Sequence, residues 1–183
     1  MRIVFTGGPC TGKSTTFDAF KEMTSDTGYC EYVPELARVW LKHFEKYEPE
    51  KHPSVNREFF QNFLETLHKS NWVGAKENGI VDTIYDRGLP DEIAYRIFFG
   101  MEDNSGLYID CQDTFTYDKV FFFPFWDEIY QIDEVRTESL RDAAAIEFNL
   151  RRAYENCGYE VIEVPFGTIE ERVNFIKEKI YAE

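Results

Sequence analysis

A glycine-rich segment near the start of the chain constrains the fold more than any other feature of the sequence. Residues 7–14 fit the pattern G-x-x-x-x-G-K-[ST] at every fixed position. They follow a short apolar stretch, Arg2–Thr6, that predicts a buried strand, and they precede a helical pattern. A strand, this loop and a helix in that order form the context in which the pattern binds phosphate. We therefore expect an α/β fold with a phosphate group bound at the start of the first helix.

Each residue type in this loop has a physical role in holding a triphosphate. The glycines let the backbone curl with its N–H groups pointing inward, and the helix that starts here adds the partial positive charge of its N-terminus. Lys13 reaches the β- and γ-phosphates, and the Ser14 hydroxyl binds Mg²⁺. We therefore predict ATP and Mg²⁺ as ligands, Lys13 as a catalytic residue and Ser14 as a metal ligand. The predicted nucleotide-binding residues are Gly7, Gly8, Pro9, Cys10, Thr11, Gly12, Lys13, Ser14 and Thr15.

The rest of the chain alternates strand and helix patterns, which predicts a parallel sheet with helices on both faces. No internal repeat or linker interrupts the alternation, so we expect a single domain over residues 1–183. The predicted strands are Arg2–Thr6, Tyr29–Val33, Ile80–Asp86, Tyr117–Phe125 and Tyr159–Val164, and the predicted helices start after Lys13, at Pro34, near Val55, within Gly88–Gly100, at Arg136 and at Thr168.

The charge and cysteine content argue against several classes of partner. The chain carries 34 acidic and 20 basic residues, a formal net charge of −14, so it has no general attraction for nucleic-acid backbones or anionic lipid. The four cysteines form no C-x-x-C pair, which argues against a zinc site and suits a reducing compartment. The longest apolar run, Val120–Trp126, is too short to span a bilayer, and no apolar leader segment follows Arg2. We therefore expect a soluble, cytoplasmic protein that binds neither nucleic acid nor membrane.

The end of the third predicted strand separates the classes of protein that use such a loop. The sequence has no Asn/Thr-Lys-x-Asp motif, with which GTPases recognise guanine. A motor ATPase of the AAA⁺ type needs a larger chain and a strand that ends Asp-Glu, whereas this strand ends in Asp86 and Arg87. An acidic residue there can hold the water shell of Mg²⁺, and an arginine beside it can reach a phosphate or the acceptor. Asp86 is therefore a predicted metal and catalytic residue, and Arg87 a predicted catalytic residue.

Three segments resemble a known family of enzymes. Gly7–Ser14, Val33–Glu35 and Asp86–Asp91 are similar to segments of the small AAA-like P-loop kinases, the family that includes the ribosylnicotinamide kinase domains, and pieces of the last two also resemble deoxyribonucleoside kinases. The resemblance covers most of the chain. It implies a three-layer α/β fold with a five-stranded parallel sheet in the order 2-3-1-4-5, and a lid whose arginines close over the triphosphate. It also implies that Glu35 faces the acceptor hydroxyl, and it makes Asp91 a candidate for substrate binding.

Glu35 fits this role on chemical grounds as well. It follows the second predicted strand, at the edge where ligands collect in open α/β sheets, and a carboxylate there can orient the acceptor and accept its proton. The alternative is a first-turn glutamate that stabilises the helix dipole after Pro34. Arg38 lies one turn later on the same side and is a candidate for binding the acceptor or a phosphate. The helical region of about residues 34–78 is then the acceptor side of the domain.

A lid is predicted at about residues 127–142. It contains Arg136 and Arg141, and the fork of an arginine side chain can span two oxygens of a transferring phosphoryl group. The alternative is a pair of solvated charges at a helix start. The loop after the fifth strand, Pro165–Thr168, lies where such folds place part of the adenine site.

The sequence is consistent with two functions. The favoured one is an ATP-dependent phosphotransferase acting on a hydroxyl of a small acceptor, with a nucleoside or a nicotinamide riboside-like compound preferred. The alternative is a nucleotide-dependent switch or slow ATPase that acts on a protein partner. The two differ in whether ATP turnover depends on an acceptor. The aromatic-rich region Phe44–Trp72, between the second and third strands, favours an acceptor pocket, and the alternative is an interaction surface for a protein partner.

Overall fold

The structure is a computed structural model that describes residues 1–24, 30–77, 82–101, 104–126 and 140–181. Five parallel strands form its centre. The strands are β1 (Arg2–Gly7), β2 (Cys30–Val33), β3 (Asp82–Asp86), β4 (Lys119–Phe123) and β5 (Val161–Glu163), and they lie in the order β2-β3-β1-β4-β5. The helices are α1 (Lys13–Thr24), α2 (Leu36–Tyr47), α3 (Arg57–Glu77), α4 (Leu89–Phe98), α5 (Ser105–Asp113), α6 (Leu140–Asn156) and α7 (Ile169–Tyr181), and a 3₁₀ turn spans Pro49–Lys51.

Strand β1 lies in the middle of the sheet because its side chains are apolar on both faces. Val4 is in register with Tyr85 of β3 and Val120 of β4, and all three are buried. Neighbouring side chains on a strand point to opposite faces, so Phe5 faces the other side of the sheet. The parallel arrangement places the ends of β1, β2 and β3 at one edge, where the sequence predicts the site.

Two apolar cores separate the helices into layers on either face of the sheet. On one face, Phe17 of α1 and Val173 of α7 pack with Phe5, whose ring meets that of Phe17 edge-on at 6.0 Å. On the other face, residues of α2 to α6 pack around Val4. The three-layer α/β fold that the sequence predicts is therefore confirmed, as is the strand order 2-3-1-4-5.

One helix of the structure was not predicted, and α2 and α3 begin at Leu36 and Arg57, two residues after the predicted starts at Pro34 and near Val55. Helix α5 has no predicted counterpart, because only Leu107 and Cys111 of this helix are buried and it shows no clear apolar stripe. Helix α6 begins at Leu140, and the predicted start at Arg136 lies outside the described residues, as does the predicted strand start at Ile80. No helix of the described segments is both long and apolar enough to cross a membrane.

Candidate active site

The phosphate loop, Gly7–Ser14, is held tightly between the strands and α1. Gly7 has a φ of +155°, and a Cβ atom there would lie 2.4 Å from the carbonyl oxygen of Phe123 on β4, so only glycine fits. At the other end, the Gly12 carbonyl accepts hydrogen bonds from the Thr16 amide at 3.0 Å and the Thr16 hydroxyl at 2.9 Å. These bonds fix the first turn of α1, whose N-terminus faces the loop.

Lys13 and Asp86 form a buried ion pair at this loop. Lys13 begins α1 and Asp86 ends β3, and the lysine ammonium donates a hydrogen bond to the carboxylate. Each side chain is about 5% exposed or less. The structure thus brings together two residues that the sequence predicts for the site. Beside them lies a cavity of about 50 Å³, the phosphate cavity, which is lined by Gly8, Cys10, Thr11, Gly12, Lys13, Ser14, Thr15, Glu35 and Arg87.

The guanidinium group of Arg87 connects three parts of the site. Its Nε donates to Glu35 Oε1 at 3.2 Å, and its Nη1 donates to Asp91 Oδ1 at 3.1 Å and to the Gly7 carbonyl at 3.2 Å. Glu35 directly precedes α2, Asp91 belongs to α4, and Gly7 opens the phosphate loop. Arg87 therefore fixes the ends of β1, β2 and β3 relative to one another.

The surrounding charges determine the protonation of Glu35. Burial alone would raise the pKa of its carboxyl group, but the positive charges of Arg87, Lys13 and Arg38 outweigh burial and lower the pKa to about 2. Burial would likewise lower the pKa of the Arg87 guanidinium, but the groups around it, Glu35 among them, raise that pKa above its ordinary value. Glu35 is thus a carboxylate at neutral pH, able to accept a hydrogen bond.

Asp91 does not have the substrate-binding position that the sequence predicts. It is 0% exposed, and besides Arg87 it accepts hydrogen bonds from the Thr6 hydroxyl at 3.0 Å, the Gly88 amide at 3.0 Å and the Tyr154 hydroxyl at 2.5 Å. No surface remains for an acceptor molecule. We correct its role to that of a positioning residue, which holds Arg87 and the first turn of α4.

A second cavity, the acceptor cavity, lies between α2, α3 and α4 and has a volume of about 140 Å³. Apolar side chains that include Leu36, Phe60 and Leu64 form part of its wall. Its polar lining includes Glu35, Arg38, Gln61, His68, Arg87 and Glu92. Glu35 and Arg87 line both cavities, so the two spaces meet at this ion pair.

Three polar residues of the acceptor cavity are not predicted from the sequence. Gln61, His68 and Glu92 are each 3% exposed, and His68 Nε2 lies 3.5 Å from Glu92 Oε1. Burial raises the pKa of Glu92, and the hydrogen bond and charge of His68 counteract part of that rise. A signal was present in the sequence, because Gln61 and His68 lie seven residues apart, on the same helix face as the apolar Leu64.

The remaining predicted site residues lie at the edges of the two cavities or outside the described residues. Arg38 is 40% exposed, and its Nε lies 3.6 Å from Glu35 Oε2. Arg141 is exposed on the first turn of α6 and lines neither cavity, although Ala143 on the same turn lies beside Gly8. Arg136 and most of the predicted lid fall outside the described residues. The roles of both lid arginines stay predictions.

On the side of the phosphate loop away from the acceptor cavity, α7 contributes a buried cation that is likewise not predicted from the sequence. Arg172 is 2% exposed, its Nη2 donates to the Thr11 carbonyl at 3.0 Å, and its Nε has no hydrogen-bond partner. Burial lowers the pKa of this guanidinium to about 10. Nearby, the rings of Trp126 and Phe166 stack at 5.1 Å. Phe166 belongs to the loop predicted to form part of the adenine site.

The sheet order together with the phosphate loop defines the P-loop α/β class of nucleotide-binding proteins. A family model described as AAA domain matches residues 2–172, so the chain belongs to the AAA domain family. A comparison with curated proteins found no match.

Solved kinase structures share the fold. Deoxyadenosine kinase from M. mycoides, with the products dCMP and a flexible dCDP bound, is similar with a TM-score of 0.68, 14% identity and 100% of each chain covered. The same enzyme with bound dATP gives a TM-score of 0.66 at 15% identity, again over 100% of each chain. Thymidylate kinase from Ehrlichia chaffeensis gives a TM-score of 0.67 at 16% identity over 98% of each chain.

Proposed function

We propose that the protein is an ATP-dependent phosphotransferase that moves the γ-phosphoryl group of Mg-ATP to a hydroxyl of a nucleoside or nicotinamide riboside-like acceptor. The observation that carries this proposal is the shared wall between the two cavities, which Glu35 and Arg87 form. A hydroxyl in the acceptor cavity can meet a γ-phosphate in the phosphate cavity at these two side chains. A nucleotide switch has no need of a second cavity at this point. The dATP and dCMP bound to the similar deoxyadenosine kinase support a nucleotide donor and a nucleoside-like acceptor.

In the proposed reaction the acceptor hydroxyl oxygen attacks the γ-phosphorus. The new O–P bond forms while the bond from the γ-phosphorus to the β–γ bridging oxygen breaks, and ADP leaves. Glu35 accepts the hydroxyl proton. Lys13 exchanges its contact with Asp86 for phosphate oxygens, and Arg87 stabilises the charge on the transferred group.

The residues at the edge of the phosphate cavity fit a magnesium ion. Ser14 lines that cavity, and the Asp86 carboxylate lies against Lys13 beside it, so both supply the oxygen ligands that Mg²⁺ prefers. When bound, Mg²⁺ would neutralise phosphate charge. We further propose that Arg136 and Arg141 belong to a lid at about residues 127–142, and that residues 1–183 act as one domain.

The proposal is tested by acceptor-dependent phosphoryl transfer. The protein is incubated with Mg-ATP and a pool of nucleosides, nicotinamide riboside and nucleoside monophosphates, and products are identified by mass spectrometry. We expect one phosphorylated product and little ATP loss without the pool. Lys13→Met should abolish the product, whereas Lys42→Met, at an exposed position of α2, should not. Slow ATP hydrolysis that ignores the pool would instead favour the switch or ATPase.

A further inference from the structure

Two of the four free cysteines lie together at the edge of the sheet opposite to the phosphate loop. Cys111 belongs to α5, which precedes β4, and Cys157 directly follows α6, which precedes β5. Both are buried in the core on the face of the sheet that carries α2 to α6. The phosphate loop follows β1, so it lies where the parallel strands end, whereas these cysteines lie where β4 and β5 begin. The proposed phosphoryl transfer therefore makes no use of them.

Hydrogen bonds hold the two cysteines side by side. Gln112 Nε2 donates to the Asn156 carbonyl at 2.9 Å, so the chain neighbours of the two cysteines are bonded to each other. The Tyr159 hydroxyl donates to the Cys111 carbonyl, also at 2.9 Å. The thiols of Cys111 and Cys157 share a further hydrogen bond. The two sulfur atoms are therefore already in contact in the folded protein, as closure of a disulfide bond requires.

The two thiols differ in exposure and in acidity. Cys157 is 7% exposed and lines a surface cavity of about 440 Å³ together with Lys119 and Tyr159, whereas Cys111 is 0% exposed. The hydrogen bond from Cys111 lowers the pKa of the Cys157 thiol, although burial counteracts it. The same hydrogen bond, together with burial, raises the pKa of the Cys111 thiol. Because the thiolate is the reactive form of cysteine, Cys157 is the member of the pair that can attack a small oxidant.

We propose that Cys157 and Cys111 form a peroxide-sensitive thiol pair, in which Cys157 is oxidised first and Cys111 then closes a disulfide bond. In the first step the Cys157 thiolate attacks an oxygen of hydrogen peroxide. The S–O bond forms, the O–O bond breaks, and the hydroxide that leaves takes up a proton to become water. In the second step the Cys111 sulfur attacks the sulfenic sulfur of Cys157. The S–S bond forms, the S–O bond breaks, and hydroxide leaves with the Cys111 proton as water. The two sulfur atoms together lose two electrons, which reduce the peroxide.

The other two cysteines provide matched controls. Cys10 lies in the phosphate loop, at the opposite edge of the sheet. Cys30 begins β2, the strand farthest from β5 in the sheet, and burial raises the pKa of its thiol. Neither residue is placed to close a disulfide bond with Cys157.

The test is oxidation of the folded, full-length protein by hydrogen peroxide, followed over time by mass spectrometry. We expect the intact mass to fall by the mass of two hydrogen atoms, and peptide mapping to find Cys111 joined to Cys157. Dithiothreitol should restore both thiols. The pair should lose its thiols at least about tenfold faster than Cys30 does, because the thiolate is the form that reacts.

Single-cysteine variants separate the two roles. Cys111→Ser should stop at a sulfenic acid on Cys157, which dimedone captures, whereas Cys157→Ser should leave Cys111 unmodified. Cys30→Ser should form the same disulfide bond at the wild-type rate. A sulfenic acid on Cys111 in Cys157→Ser would contradict the proposed order of the steps. The wild-type measurement needs no variant, so a folding defect in a variant does not affect it. If Cys30 is oxidised while Cys111 and Cys157 stay reduced, or if the pair reacts only after unfolding in urea, the proposal is overturned and the two thiols serve core packing alone.

Discussion

Backbone strain is concentrated at two residues of the site. Among the described residues, the non-glycine positions with a left-handed φ are Cys10, at 57°, in the phosphate loop, and Arg87, at 80°, at the end of β3. Such conformations cost of order 1–3 kcal/mol and persist only where the surroundings hold them. For Arg87 the holding contacts are Glu35, Asp91 and the Gly7 carbonyl. The guanidinium is therefore in place before a substrate arrives.

The low pKa of Glu35 predicts a pH-dependent contribution to stability. The pKa falls from an ordinary 4.5 to about 2 in the folded protein, so the stabilisation is present above about pH 4.5 and is lost as the pH falls towards 2. We expect Glu35→Gln to lower the free energy of unfolding by roughly 2–3 kcal/mol at pH 7 and by much less near pH 2.5. Urea denaturation at both pH values measures the difference. A gap between the two proteins that does not change with pH would contradict the assignment.

The same substitution separates catalysis from nucleotide binding. Glu35→Gln keeps the shape of the side chain but cannot accept the acceptor proton, so we expect kcat to fall by about 10²-fold or more. The affinity for ATP should stay nearly unchanged when measured by calorimetry. If Asp86→Asn reduces kcat more than Glu35→Gln does, Asp86 rather than Glu35 is the base.

At the scale of elements, Asp91 joins α4 to the sheet and to α6. It binds Thr6 of β1, Arg87 after β3 and Tyr154 of α6. The start of α4 lies so close to α6 that a Cβ atom on Gly88 would be 2.8 Å from the Tyr154 hydroxyl. The position of Arg87, and through it that of Glu35, therefore depends on how α4 packs on α6.

Replacing Asp91 tests this connection. Asp91→Asn removes the charge that compensates Arg87 in a buried setting, and breaking such a pair costs about 3–5 kcal/mol. We expect a loss of that order in the free energy of unfolding, together with lower kcat. Asp110→Asn is the matched control, because Asp110 binds Lys69 at 2.6 Å near the surface and should cost less than about 1 kcal/mol. Equal losses in the two variants would exclude a special role for Asp91.

A site residue can be predicted from the sequence when a local pattern fixes its position, and it is missed when its position depends on the packing of distant elements. The phosphate loop and Glu35 follow strands and Asp86 ends one. Parallel strands end at one edge, so local patterns bring these residues together. Gln61 and Glu92 face one cavity only because α3 packs beside α4, and no local pattern specifies that pairing. Asp91 was misassigned because its partner Tyr154 lies 63 positions away in the sequence.

At the scale of the whole molecule, cations from both layers meet at the phosphate loop. Arg87 approaches from the side of α4, whereas Arg172 approaches from α7, in the layer on the opposite face of the sheet. The chain as a whole has a formal charge of −14, so attraction for a triphosphate is local. Arg87 and Lys13 are paired with carboxylates, but among the described residues no carboxylate forms an ion pair with Arg172. An anionic nucleotide would provide the compensation that Arg172 lacks.

Because Arg172 lacks an anionic partner, we expect bound nucleotide to stabilise the folded protein partly through this residue. ATP at about 100 times its Kd should stabilise the wild-type protein by about 2.7 kcal/mol and raise Tm by roughly 5–10 °C. Arg172→Met removes a buried charge whose burial is already unfavourable, so we expect little change in the Tm of the free protein. The variant should bind ATP about tenfold more weakly, with a smaller rise in Tm at the same ATP concentration. Arg152→Met, at an exposed position of α6, should retain the full rise. Thermal melts with and without Mg-ATP measure the Tm of the free protein and its increase on binding ATP. If the increase in Arg172→Met equals that of the wild-type protein, Arg172 contributes only to the packing of α7.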